Sequence, residues 1–140
     1  MQFKKIGSKY VVRLDKGEEV VSTLKQFCED NKIKLGTIQG IGATNQATVG
    51  LFHTQTKEYH TQKLMGDHEI TNLTGNISTK DGEVYLHIHI NLANTDYHTF
   101  GGHLSEALVS ATCELMIDVI EGEVERAFND EVGLNLYQFE

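Results

Sequence analysis

Two histidines one residue apart, in Leu86-His87-Ile88-His89-Ile90, are the part of this 140-residue chain best suited to chemistry. In an extended strand, residues two apart project from one face and their neighbours from the other. His87 and His89 therefore stand side by side, while Leu86, Ile88 and Ile90 form a core-facing stripe. The two Cβ atoms would lie about 7 Å apart, within reach of one ion at the roughly 2.0–2.1 Å of a zinc–imidazole bond. A third imidazole follows at His103, after Gly101 and Gly102, whose missing side chains let the backbone fold close to the preceding strand. Structural zinc is usually closed by four ligands including cysteine, whereas three histidines keep a position open for water or substrate. The pattern predicts zinc or another divalent ion on His87, His89 and His103. The same spacing also suits half-buried histidines on the wet face of a sheet, and from spacing alone both readings stand.

Other reactive residues are less well placed. His53, His60, His68 and His98 sit beside turn residues with no partner at ligand spacing, and they read as solvated positions, with His98 the best placed of the four to be a ligand. Arg13 and Glu114 interrupt apolar runs, where a charge is costly unless paired. They are weak candidates for an anion partner and an acid/base in catalysis, and a plain solvent face is the alternative. Cys28 and Cys113 lie in separate apolar segments outside any metal or redox spacing, as expected of buried thiols in a reducing compartment. No phosphate-cradling glycine motif is present, and Ser105 and Ser110 lack a nucleophile-elbow context.

The elements that must position these residues follow from periodicity. Tyr10–Leu14 reads as a strand, and Val20, Leu24, Phe27 and Cys28 share one face of a helix from Glu18 to about Asn31. A period of two from Lys34 predicts a strand that runs into a glycine-hinged turn at residues 40–44. Residues 46–52, 58–64, 69–78 and 83–92 read as four further strands joined by short turns. After a polar loop at 93–100 and the diglycine, residues 104–109 are helix-compatible, 113–120 form another apolar run, and the tail from Glu123 is mixed. The expected fold is α+β, with one main helix and an antiparallel-rich sheet of about seven or eight strands in a single domain spanning residues 1–140.

Charge narrows the partners. Twelve Lys and Arg against twenty Asp and Glu give a net charge of −8, whose average field repels phosphate. Lys4, Lys5, Lys9, Lys25, Lys32 and Lys34 are the only concentration of positive charge that a duplex could meet. No apolar run approaches the roughly 18 residues of a membrane span, and the N-terminus lacks a signal-peptide core, so the expected location is cytoplasmic, with no membrane partner.

Several segments resemble the plants and prokaryotes conserved (PPC) family across nearly the whole length. Residues 10–20 resemble its opening, Gly40-Ile41-Gly42-Ala43 its glycine turn, and Leu73-Thr74-Gly75-Asn76-Ile77-Ser78 its middle strand. The most specific matches are His87-Ile88-His89-Ile90-Asn91-Leu92-Ala93 and Gly101-Gly102-His103-Leu104. The resemblance implies a stand-alone homotrimer with zinc on His87, His89 and His103, and a DNA-binding or transcription-associated role. The loop at residues 94–100 departs from the family's usual turn residues, and the AT-hook of plant members is absent. The fold is also similar to that of acetolactate decarboxylase, which implies, by analogy of fold alone, an alternative role as a zinc-dependent enzyme acting on a small carbonyl or carboxylate compound.

Overall fold

A computed structural model describes residues 1–139. The elements run β1 (Gln2–Ile6), β2 (Lys9–Asp15), α1 (Val20–Asp30), β3 (Gly36–His53), β4 (Glu58–Lys80), β5 (Glu83–Ala93), β6 (Thr99–Val119), β7 (Arg126–Asn129) and β8 (Leu134–Tyr137). Six strands form one antiparallel sheet in the order β1-β2-β6-β3-β4-β5, and β7 pairs with β8 in a separate hairpin. The expected α+β architecture with one helix holds, but the eight strands of the described residues divide into a six-stranded sheet and a separate hairpin, where a single sheet of seven or eight was expected.

The sheet curls until β5 also meets β6. One edge of β6 is taken by β3, and the other is shared, with β5 at residues 99–103 and β2 at residues 112–118. The gap between those stretches is filled by the chain entering α1. Gly17 N–H donates to the Val109 carbonyl at 2.9 Å, Val109 N–H to that of Glu18 at 3.0 Å, and Ala107 N–H to the Glu19 carboxylate at 3.0 Å. Glu19 is also the helix N-cap, accepting from the N–H groups of Val21 and Ser22. A carboxylate there satisfies orphan donors and meets the positive end of the helix dipole, so one side chain both starts α1 and ties it to β6. The helix buries Val20, Leu24, Phe27 and Cys28, the stripe read from spacing. Phe27 packs edge-on to Phe3 and Tyr10, with ring centres at 5.0 and 5.2 Å, which joins β1 and β2 to the helix. No helix among the described residues is long and apolar enough to cross a membrane.

Several boundaries differ from the expected ones for a shared reason, which is that the strands are long and bulged. Residues 40–44 do not turn but continue β3, with register shifts at Gly40/Gly42 and Thr44/Gln46. Gly42 allows close strand approach, since a Cβ there would lie 2.4 Å from the Thr112 carbonyl oxygen. The segments predicted as separate strands at 58–64 and 69–78 are both parts of β4. Residues 104–109 are strand, within β6; a register shift near Leu104 leaves Leu104 and Ala107 both buried three residues apart, which imitates helical spacing. β1, fully exposed, carries no periodic signal, and the mixed tail forms the β7–β8 hairpin.

The diglycine works as expected. A Cβ on Gly101 would lie 1.9 Å from the Ile90 carbonyl oxygen, and one on Gly102 would lie 2.5 Å from that of Gly50. Gly101→Ala should therefore force β5 and β6 apart, costing about 1–3 kcal/mol and lowering the melting temperature by roughly 3–10 °C. Gly50→Ala meets only side-chain atoms, at 3.3–3.4 Å, before any backbone, and should cost clearly less. Equal losses in thermal unfolding would contradict this reading.

Candidate metal centre

Alternation along β5 buries Ile88 and Ile90 and turns His87 and His89 to the opposite face. The β5–β6 register then sets His103 directly across from His89, with Gly50 of β3 on its other side. The ring centroids of His87, His89 and His103 form a nearly even triangle, with separations of 5.0, 5.4 and 5.8 Å. One ring nitrogen from each lies within 4.8 Å of the others, and the Nε2 atoms of His87 and His89 are 3.2 Å apart. His89 is exposed and the other two are half-buried, so the cluster opens to solvent on one side.

Burial pushes the His87 imidazole down to about 4, and the neighbouring His89, His103 and Arg126 add to the effect. Burial also lowers His103, with His89 contributing. Both rings are thus neutral at pH 7, the form that offers a lone pair to a metal. Nδ1 of His103 is buried without a hydrogen-bond partner among the described residues. Such an orphan costs about 1–3 kcal/mol, and coordination through it would remove that cost. No Asp, Glu or Cys among the described residues joins the group. Three imidazoles with an open side fit a borderline divalent ion of the zinc type rather than calcium or magnesium, which favour oxygen ligands.

The remaining sequence candidates lie elsewhere. Arg13 and Glu114 face each other across β2 and β6, both exposed, and Arg13 pairs with Asp15. Glu114 is eleven residues along β6 from His103, on the order of 30 Å away. His53 and His60 meet edge-on with ring centres 4.2 Å apart, both exposed, near the β3–β4 turn. His68 meets the Gly66 carbonyl at 2.6 Å, and His98 is exposed in a turn closed by the Asn94 side chain. Cys28 and Cys113 are free and buried, and desolvation pushes both thiols up to about 12, so neither is a ready nucleophile. Of the six lysines, Lys9, Lys25 and Lys34 are engaged by Asp118, by Glu29 and Glu83, and by Glu123.

Sequence reasoning missed three residues beside the cluster. The Tyr59 ring lies 5.4 Å from that of His103, Tyr85 is on the same face of β5 as His87, and Arg126 packs over Tyr85 at 5.0 Å. The only available signal for Arg126 was the alternation Val124-Glu125-Arg126-Ala127-Phe128, which is too short to stand out.

Known proteins share this arrangement of the chain. A candidate DNA-binding protein from Bacteroides thetaiotaomicron is 38% identical with a TM-score of 0.96, covering 99% of this chain and 96% of that one. A metal-containing protein from Archaeoglobus fulgidus is 36% identical with a TM-score of 0.89 and covers 99% of each chain. Acetolactate decarboxylase from Bacillus subtilis, at 11% identity and a TM-score of 0.55 over 83% of this chain and 54% of that one, shares the fold alone. Among curated proteins, the bifunctional protein GlmU of Synechococcus sp. (strain JA-3-3Ab) is 29% identical over 110 residues, or 77% of this chain. The chain spans only about 16% of that relative's length, so the match is to one segment of it. A family model matches residues 1–121, and the chain belongs to the Plants and Prokaryotes Conserved domain family.

Proposed function

We propose that this chain is a metal-binding, self-associating module of its family, holding one zinc-type divalent ion on His87, His89 and His103. The observation that carries the reading is the convergence of the three imidazoles, with a buried, unpartnered nitrogen on His103. The metal-containing relative, at 36% identity over the full length, supports it. When bound, such an ion supplies a Lewis acid to an oxygen ligand at its open position. The chain's own residues do the rest. The β5–β6 register holds the ligands in place, while burial keeps His87 and His103 unprotonated.

Assembly as a homotrimer fits an exposed apolar face. Val11 and Met116 pair across β2 and β6, and Ile41 of β3 lies alongside, with exposures of 40%, 59% and 61%. Contiguous exposed apolar groups of this kind mark association surfaces. The open coordination position also admits a zinc-dependent enzyme for a small carbonyl or carboxylate compound, but Arg13 and Glu114 are too remote to serve it. A DNA-binding role is supported by the likeness to the Bacteroides candidate DNA-binding protein. Contact with a duplex would have to overcome a net charge of −8 and the engagement of three of the six clustered lysines.

Three measurements test these readings. Protein purified without a histidine tag should carry close to one metal ion per subunit by elemental analysis, and His89→Ala or His103→Ala should abolish it; a ratio near zero in the wild type refutes the site. The metal-free protein should lose stability as pH falls from about 6.5 toward about 4. The reason is that the unfolded chain takes up a proton on His87 that the folded site resists, so this contribution is full above the ordinary histidine value and shrinks below it. His87→Asn should flatten that part of the profile, and identical wild-type and variant profiles would contradict it. Fluorescence anisotropy at low salt should detect no binding to mixed-sequence duplex at micromolar protein, and salt-sensitive binding would instead establish DNA contact.

A further inference from the structure

Among the described residues, no carboxylate balances the charge of Arg126. It is only 6% exposed, and its guanidinium lies between the rings of Tyr85 and Tyr137, at 5.0 and 4.2 Å. Nε donates to Ser78 Oγ at 2.8 Å and Nη1 to the Asn135 carbonyl at 2.9 Å, which pins the β7–β8 hairpin to β4. Among the described residues, Nη2 donates to no protein acceptor and no carboxylate comes within ion-pair distance. The nearby Glu123 and Glu125 instead accept from Thr79. Pinning a hairpin needs donors but not a charge, and an uncompensated buried charge costs several kcal/mol.

The place of that charge is informative. Ser78 pairs with Tyr85 and Asn76 with His87 in the β4–β5 ladder, so Arg126, seated on Ser78 and Tyr85, lies on the same sheet face as His87, two pairs along. Its Nη2 has no acceptor among the described residues, and the small residual exposure favours a small partner. A guanidinium edge also matches the geometry of a carboxylate.

We propose that Arg126 is the anion subsite of the three-histidine centre, which takes a small carboxylate with a neighbouring oxygen. The carboxylate meets the guanidinium, and the second oxygen turns toward His87, His89 and His103. The proposal deepens the metal reading and rests on it.

The test uses the metal-loaded protein, with glycolate as probe and its neutral isostere glycolamide as control, followed by isothermal titration calorimetry. Glycolate should bind at least tenfold more tightly than glycolamide. Arg126→Gln should lose at least tenfold in glycolate affinity while keeping about one metal ion per subunit, and Arg126→Lys should recover part of the loss. Equal affinities for the two probes in the wild type overturn the proposal even if Arg126→Gln fails to fold, as does unchanged glycolate binding by a folded Arg126→Gln. A wild-type metal ratio near zero is read separately and overturns the metal reading together with this one.

Discussion

The backbones of β5 and β6 run so close at Gly101 that no side chain fits between them, and the functional face of the molecule depends on that approach. A single Cβ at Gly101 would overlap the Ile90 carbonyl oxygen. Gly102 makes the matching concession to β3, so His103 is delivered with β5 on one side and β3 on the other. The side chain that profits is the next one along. Since register is all-or-none in a sheet with one buried face, His103 cannot sit opposite His89 unless Leu104 turns into the core, which it does.

The same closure explains why the sheet needs its one helix. Between β5 and β2 the edge of β6 would expose the backbone at residues 107–109, and the chain leading into α1 covers it. Glu19 serves that edge and the helix start together. The helix then brings Phe27 onto Phe3 and Tyr10, so the exposed β1 is held by an aromatic contact worth about 0.5–1.5 kcal/mol per pair as well as by its ladder with β2.

The parts of this arrangement that are local in the chain were legible from residue order. The His-x-His pair, the stripe on α1, the period of two from Lys34 that opens β3, and the short turn before the strand that begins at residue 83 each follow from spacing over a few positions, and the structure agrees. What was hidden depends on bulges and on partners distant in sequence. A bulge near Leu104 turns a strand pattern into an apparent helical one, and glycines at 40 and 42 look like a hinge although they answer to a neighbouring strand. Arg126 was invisible for a related reason, because its meaning comes from Ser78 and Tyr85, more than forty residues earlier. Arg13 and Glu114 show the converse, since a charge within an apolar run can simply face solvent beside a cross-strand partner.

The claim that one ion rests on the three histidines is tested most directly by crystallography at the zinc absorption edge on protein that has never met a chelating column. The account predicts an anomalous peak within about 2.0–2.3 Å of one nitrogen from each of His87, His89 and His103. A well-ordered map in which the three rings surround no anomalous scatterer, or in which the peak sits on other residues, would contradict it.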